Sequence, residues 1–311
     1  MSDQLDTGPV NGATQAAASA AAPVAASGRR RGGRGIGPTR AVRSTARYRN
    51  LEHRFPPTPM VSADELEAIH NTSLDVLEEL GIDVMHEGAR EIMKKAGADV
   101  RPGIERVRFD RNLILELMKT CPSEFTLHAR NPERNVKMGG KNLAFAQVAS
   151  PPNCSDLDGG RRAGNHKDFQ NLVKLAQSYD IIHLTGGYPV EPVVIHASIR
   201  HLVCLSDIAN LTDKAFHAYS LGKERNQDAL EIARIARGIT HEQMDNEPSL
   251  FSIINSSSPL RLDNPMMQGI IEMSSRNQII VLTPFTLAGA MAPVTVAGAL
   301  AQQNAEALAG I

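Results

Sequence analysis

Cysteine, tryptophan and long apolar runs are scarce in this sequence, and each absence excludes a class of protein. Cys121, Cys154 and Cys204 are too few and too far apart for a disulfide scaffold or a Cys-x-x-Cys zinc or redox site. No apolar run reaches the roughly 20 residues of a membrane span, and the Ala-rich N-terminal stretch lacks the basic start of a signal peptide. We therefore expect a cytoplasmic protein without a membrane contact.

Charge is nearly balanced overall but unevenly distributed. The formal net charge is −1, and residues 1–50 hold eight Arg and two Asp, a local balance of +6 that leaves −7 for the remainder. An acidic remainder argues against a nucleic-acid surface on the folded part. The Ala-, Gly- and Arg-rich residues 1–55 show no apolar periodicity and predict a disordered tail. This tail is either a segment for an anionic partner or a solubilising extension.

A small α+β module is predicted over residues 56–140. Ser62 and Glu65 form a capping box at the start of a helix, and apolar residues recur at helical spacing until Gly81. The elements predicted to complete the module are helices over 87–96 and 110–118 and strands over 106–109 and 125–128.

Strand and helix alternate five times over residues 141–311, which is typical of βα units around a parallel sheet. Because the Gly-rich phosphate turn of a doubly wound nucleotide-binding sheet is missing, the pattern favours a (β/α)8 barrel of the TIM type. A complete barrel needs about 250 residues, so we expect an incomplete barrel of about five units in a truncated chain. The predicted strands are 142–148, 181–185, 214–220, 249–256 and 278–283, and the predicted helices are 167–179, 196–210, 224–237, 264–276 and 293–311.

Side chains that follow the predicted strands are the candidates for a site, because barrel enzymes hold their active sites at that edge. Asp156 and Asp158 can orient a cationic substrate or carry acid–base chemistry, and the alternative is a structural turn with an ion pair to Arg161 or Arg162. Aromatic rings attract quaternary ammonium groups, although ordinary packing also explains each ring. The candidate substrate-binding residues are Phe145, Gln147, Asp156, Asp158, Tyr188, Tyr219, Ser256, Thr283 and Phe285.

The ten histidines show no metal-binding motif. Neither His-Glu-x-x-His nor His-x-x-x-His occurs, and no His/Cys spacing fits a zinc site. His183 and His217 fall within predicted strands, where a histidine with satisfied hydrogen bonds is the expectation. The sequence therefore predicts no directly bound metal.

Several stretches resemble the trimethylamine:corrinoid methyltransferase family, and the likeness covers residues 60–311. The stretches are 80–84, 96–100, 156–162, 258–260 and, most specifically, the small-residue segment 283–311. The resemblance implies a (β/α)8 barrel that moves a methyl group from a methylated amine to a corrinoid (cobalamin-type) on a separate protein. The amine would be trimethylamine or a quaternary amine such as glycine betaine.

The resemblance also assigns roles along the chain. Gly289, Ala290 and Pro293 would face the corrinoid, and the catalytic residue of the pyrrolysine-containing members would lie beyond Ile311. An alternative is a non-catalytic or truncated homologue that only binds a corrinoid partner or self-associates, and a homo-oligomer is expected. A barrel lyase or aldolase is a further alternative, but Lys141 and Lys214 stand at the wrong ends of their strands for a Schiff base.

Overall fold

Residues 48–311 are the part of the chain that this computed structural model describes, and they form a mixed α/β structure. The N-terminal elements are β1 (Leu51–Glu52), α1 (Ala63–Asp75, continued by a π-helical turn Val76–Leu80), β2 (Ile82–Val84), α2 (Glu87–Ala96), β3 (Asp99–Val100), β4 (Arg106–Arg108), α3 (Arg111–Met118), β5 (Glu124–Leu127), a 3₁₀ turn (Pro132–Arg134) and β6 (Val136–Gly139).

The C-terminal elements alternate short strands with longer helices. They are β7 (Asn142–Leu143), β8 (Asn153–Asp156), β9 (Gly160–Ala163), α4 (His166–Ser178), β10 (Leu184–Thr185), α5 (Ala197–Leu211), β11 (Ala215–His217), α6 (Lys223–Arg237), α7 (His241–Asn246), β12 (Leu250–Ile254), β13 (Arg261–Leu262), α8 (Asn264–Ser274), β14 (Ile279–Leu282) and α9 (Val296–Ala309). The five helices predicted for this region are confirmed to within three residues at each end. Within residues 48–311, no helix is long and apolar enough to cross a membrane.

A four-stranded parallel sheet in the order β10-β11-β12-β14 confirms the predicted parallel arrangement. Side chains alternate across it, as the two-residue period of a strand requires. Phe216 and Leu250 pack against α5 and α6 on one face, whereas Ala215 and Phe251 join the buried residues of the β5–β6 hairpin on the other.

The first predicted strand, 142–148, is largely absent from this sheet. Asn142 and Leu143 pair antiparallel with β1, and only Ala146 forms a parallel bridge, to Leu184. Pro151 and Pro152 follow soon after, and proline cannot donate to a ladder. The chain then forms the antiparallel β8–β9 hairpin, which was missed because its strands are polar and lack apolar alternation.

A second core contains residues from both sides of position 140, the boundary predicted between the small module and the barrel. The strand β13 pairs with β2 in the sheet β13-β2-β4-β3, and α1 packs against α9. Val107, Leu262 and Leu308 are buried together in this core. The division into two domains stays a prediction.

The predicted tail, residues 1–55, falls mostly outside the described residues, which begin at Tyr48. The Tyr48 hydroxyl donates to the Arg134 carbonyl (2.9 Å), and the Arg134 guanidinium lies over the Tyr48 ring at 5.1 Å. The strand β1 also pairs with β7, so residues 48–52 belong to the described fold. A two-residue strand is too short to produce a periodic pattern, so the sequence predicted that the tail extends to residue 55.

The capping box at the start of α1 is confirmed. The Glu65 N–H donates to Ser62 Oγ (3.2 Å), and Glu65 Oε2 accepts from the Ser62 N–H (2.8 Å). At the other end Gly81 has a φ of 72°, and a Cβ there would lie 2.3 Å from the Val107 carbonyl oxygen. Only glycine fits this close approach to β4.

A buried carboxylate attaches α9 to the connection between β12 and β13. Glu306 is 1% exposed and accepts from Ser258 Oγ (2.6 Å), the Leu260 N–H (2.8 Å) and Gln302 Nε2 (2.8 Å). The Ser256 hydroxyl also donates to it. A buried charge is tolerated only when its lone pairs are satisfied, as they are here.

We predict that Glu306→Ala lowers the free energy of unfolding by about 3 kcal/mol or more, because several buried donors lose their acceptor. Gln303→Ala, on the same helix, is the matched control and should cost less than about 1 kcal/mol. Urea unfolding of both variants measures the difference, and equal losses would contradict the structural role of Glu306.

Candidate functional site

The loops that follow the parallel strands meet at one edge of the sheet, because parallel strands share the direction of their carboxyl ends. This edge carries most of the residues expected to bind a substrate. The loop residues concerned are Gly187 and Tyr188 after β10, Tyr219 and Ser220 after β11, 255–258 after β12 and 283–286 after β14.

Tyr188 and Tyr219 form an aromatic corner at this edge. Their ring centroids are 4.7 Å apart with planes at 79°, and the Tyr188 N–H donates to Tyr219 Oη (3.2 Å). Tyr219 Oη is also hydrogen-bonded to Ser150 Oγ. Gly187 has a φ of 141°, and a Cβ there would lie 2.5 Å from Tyr219 Oη, so a larger residue would displace the ring. Burial raises the pKa of both phenols, and the rings are neutral.

Gln147 is held against the same corner. Its Nε2 donates to the Gly187 carbonyl (2.9 Å), whereas its Oε1 is buried and has no hydrogen-bond partner among residues 48–311. The Thr185 hydroxyl is buried without a partner there as well. Unpaired buried polar atoms are rare because they cost free energy, so they mark this end of β10 as a place for a polar ligand or water.

Ser256 and Thr283 lie on the neighbouring part of the edge. Thr283 Oγ1 donates to Asn255 Oδ1 (2.6 Å), which joins the loops after β12 and β14. The Ser256 hydroxyl is engaged by Glu306, a residue that sequence reasoning missed because it lies 50 positions away in a helix without a motif. The substrate-binding roles of Ser256 and Thr283 stay predictions.

Asp156 is the last residue of β8, and Asp158 lies in the turn that leads to β9. Asp156 Oδ1 accepts from the Gly159 N–H (2.6 Å) and the Asp158 N–H (3.1 Å), and Oδ2 is 2.7 Å from an Arg162 nitrogen. The Gly159 N–H, followed by the Arg162 guanidinium, holds the pKa of Asp156 below its usual range. This arrangement matches the alternative to substrate binding that the sequence offered, a structural turn with an ion pair to Arg161 or Arg162. Within residues 48–311, neither carboxylate is hydrogen-bonded to the tyrosine corner.

The four aromatic residues expected together at the edge do not form one cluster. They are Phe145, Tyr188, Tyr219 and Phe285. Phe145 stacks on His183, with ring centroids 6.1 Å apart, and Phe285 is 56% exposed. His183 is buried with both ring nitrogens hydrogen-bonded, as expected for a core histidine. Only Tyr188 and Tyr219 pack directly on each other among these four rings.

His217 differs from the expected satisfied histidine. Its Nε2 accepts from the Ile253 N–H (3.2 Å), which places the proton of the neutral ring on Nδ1. That Nδ1 is buried without a hydrogen-bond partner in the described part of the chain. The ring stands edge-on to Tyr219 at 4.7 Å, and burial lowers the pKa of His217 to about 4.

The small residues expected to face a corrinoid form an exposed turn between β14 and α9. The N–H groups of Ala290 and Ala292 donate to the Leu287 carbonyl, and the Gly289 N–H donates to the Ala292 carbonyl (2.9 Å). Gly289, Ala290 and Pro293 are all exposed. A Cβ at Gly289 would meet only Val294, at 3.7 Å, so the surface there is open.

Metal-ligating side chains do not cluster in the described residues. Between Tyr48 and Ile311, no group of three or more His, Cys, Asp or Glu side chains is arranged to hold a metal ion.

Comparison with known proteins assigns the family. The family model described as trimethylamine methyltransferase (MTTB) matches residues 26–311. The chain belongs to the trimethylamine methyltransferase family. It is 37% identical over 257 residues to a glycine betaine methyltransferase from Desulfitobacterium hafniense, covering 83% of this chain and 53% of that protein.

Two further relatives show the range of names within the family. A trimethylamine methyltransferase from Desulfitobacterium hafniense is 28% identical over 253 residues, which cover 80% of this chain and 50% of the relative. A proline betaine:corrinoid methyltransferase from Eubacterium limosum is 25% identical over 261 residues, which cover 81% and 52%. The chain thus spans about half the length of the curated relatives that it matches.

We predict that His217 makes the fold sensitive to acid. Burial lowers the pKa of His217 from its ordinary value of 6.5 to about 4 in the folded state. The unfolded chain therefore binds more protons between these values, and stability falls as the pH drops from 6.5 to 4. The loss reaches about 3 kcal/mol below pH 4. Urea unfolding across this window should show a shallower slope for His217→Phe than for the wild type.

The exposed His53 provides the control for this titration. His53→Phe should retain the wild-type pH dependence, because the exposed side chain of His53 stays in contact with water in the folded state. Identical slopes for His217→Phe and His53→Phe would refute the assignment.

Proposed function

We propose that this chain takes part in moving a methyl group from a methylated amine to a corrinoid carried by a partner protein. Family membership supports the reaction class, and the printed names of the relatives supply glycine betaine, trimethylamine and proline betaine as the range of methyl donors. The observation that carries the proposal for this chain is the tyrosine corner at the carboxyl edge of a parallel sheet.

The parallel sheet is best explained as part of a (β/α)8 barrel. A helix follows each of β10, β11 and β14 directly and follows β12 after the short strand β13. The Ala146 bridge beside β10 is consistent with one more strand there. A barrel would bring the edge loops around a central opening, which is where barrel enzymes bind their substrates.

The tyrosine corner suits a methylated ammonium group. A quaternary nitrogen has no proton to donate, so recognition depends on aromatic faces and on shape. Tyr219 offers a partly exposed neutral ring, and the buried ring of Tyr188 stands at right angles to it. The unpaired Gln147 Oε1 offers an acceptor beside them. Phe145, Phe285, Ser256, Thr283, Asp156 and Asp158 complete the set of substrate-binding residues that we propose.

The residues at the edge are mostly neutral, and this fits the chemistry. A methyl group leaving a quaternary nitrogen requires no proton removal, so the protein contributes by holding and orienting the donor and excluding water. A corrinoid, when bound, supplies the reduced cobalt that accepts the methyl group. The exposed small-residue turn at Gly289, Ala290 and Pro293 fits the close approach of a flat macrocycle. The cytoplasm is the proposed location, on the sequence evidence.

A second candidate is a homologue that binds the corrinoid partner or a second copy without catalysis. Large apolar side chains flank the small-residue turn and are exposed, and such patches mark interaction surfaces. They are Phe285 (56%), Leu287 (49%), Val294 (81%) and Val296 (74%).

A barrel lyase that uses a Schiff base fits the structure poorly. Lys214 precedes β11 and is 1% exposed, and its Nζ donates to the carbonyls of Ala176 (2.7 Å) and Tyr179 (2.8 Å). Burial lowers the pKa of Lys214 to about 8, but the amine is committed to closing the end of α4. It therefore lies at the opposite end of the strand from the proposed site.

We expect the tyrosine corner to contribute to binding through its aromatic face. Isothermal titration with glycine betaine, trimethylamine and carnitine should show saturable binding of at least one of them. Tyr219→Leu should weaken that binding by roughly tenfold, since a cation–π contact contributes about 1 kcal/mol or more, whereas Tyr219→Phe keeps the face and should bind nearly as the wild type does. Tyr179→Leu, at an exposed ring on α4's C-cap, is the control.

The titration separates the candidates clearly. A folded protein that binds none of the three amines would contradict the substrate assignment and favour the partner-binding homologue. Equal weakening by Tyr219→Leu and Tyr219→Phe would show that the hydroxyl, not the ring face, supports the site.

A further inference from the structure

A small cavity of about 140 Å³ lies between the N-terminal halves of α5 and α6, at the same edge of the sheet as the tyrosine corner. Its volume is well below the roughly 300–1,000 Å³ of sites that enclose whole drug-sized ligands. The cavity therefore has room for one functional group of a ligand. Its charged and aromatic lining consists of Tyr188, Glu191, Arg200, His201, Tyr219 and Arg225.

Positive charge exceeds negative charge in this lining. Arg200 is committed, since its guanidinium donates to the Ile195 carbonyl (2.9 and 3.1 Å) and lies 3.5 Å from Glu191. Arg225 makes only a weak hydrogen bond to the Ala197 carbonyl (3.3 Å) and forms no ion pair within residues 48–311. Once Glu191 is matched with Arg200, the Arg225 charge is left without a counterion in the cavity wall.

His201 adds a second unmatched group. Its Nε2 is 2.8 Å from Asp228 Oδ2, and because a carboxylate only accepts, Nε2 carries a proton. Its Nδ1 is buried and has no hydrogen-bond partner in the described chain. In that tautomer Nδ1 is an acceptor, so it can take a hydrogen bond from the O–H of a protonated phosphate or from a water bound with the anion.

The start of α6 also favours a bound anion. This 15-residue helix begins after Gly222, which provides no side-chain cap for the first-turn N–H groups. Uncapped N–H groups and the helix dipole favour an anion at this end. Arg225 belongs to this first turn, so the dipole and the guanidinium act at the same place.

We propose that this cavity binds a small oxyanion, the carboxylate or phosphate group of a ligand, through Arg225, His201 and the start of α6. The site takes only the charged end of its ligand, because the cavity is too small for more. Tyr188 and Tyr219, the rings of the tyrosine corner, also line this cavity. The anion proposal does not depend on methyl transfer, because the anion would be held by Arg225 and the start of α6 rather than by aromatic faces.

Titration of the full chain with acetate and, separately, inorganic phosphate at constant ionic strength tests the proposal. We expect saturable binding of at least one anion, with shifts of the His201 ring resonances in NMR spectra. Stronger binding of acetate would indicate a carboxylate-bearing ligand, and stronger binding of phosphate a phosphate-bearing one. If neither anion saturates, the proposal is overturned.

Matched variants on α6 distinguish a built site from a general positive field. Arg225→Gln should weaken binding by about tenfold or more, the effect of losing one charge-assisted hydrogen bond. Lys223→Gln removes the same charge from the same turn but at an exposed position outside the cavity lining, and should change affinity by less than about twofold. Equal weakening by both variants would overturn the proposal, and His201→Phe gives an independent check on the other wall.

Discussion

The parallel pairing of β10, β11, β12 and β14 is the constraint on which the proposed site depends. In that register Leu184 lies beside Ala215, Phe216 beside Leu250, and Phe251 beside Ile279, so the strands end together and their loops share one edge. That edge holds the tyrosine corner, the Asn255–Thr283 hydrogen bond and the small cavity lined by Arg225 and His201. The sheet in turn is held by two cores, one against the helices and one against the β5–β6 hairpin.

Periodic features of the sequence predicted the fold well where apolar spacing was strong. The five predicted helices of residues 141–311 and the capping box of Ser62 and Glu65 follow directly from local patterns, whereas the short helix α7 was not predicted. Features with little apolar periodicity were missed, such as β1 and the polar β8–β9 hairpin. The pairing of β13 with β2 is long-range, and no local pattern carries it.

The positions of the candidate site residues could be predicted from the sequence, but their hydrogen-bond and ion-pair partners could not. Tyr188, Tyr219 and Gln147 were identified because they follow strands, and the structure joins them. Asp156 was identified by its charge, yet its oxygens serve a turn and Arg162. Glu306, Arg225 and His217 acquire their significance only from burial and from the presence or absence of partners, which a single sequence does not reveal.

We propose that this edge holds a methylated amine for transfer of its methyl group to cobalt. The most direct measurement mixes the protein with reduced cobalamin and a donor carrying an isotopically labelled methyl group, and follows methylcobalamin by absorbance and label. We expect protein-dependent labelled methylcobalamin from at least one of glycine betaine and trimethylamine. Donor binding without any labelled methylcobalamin would contradict the catalytic claim and leave the non-catalytic homologue as the better description.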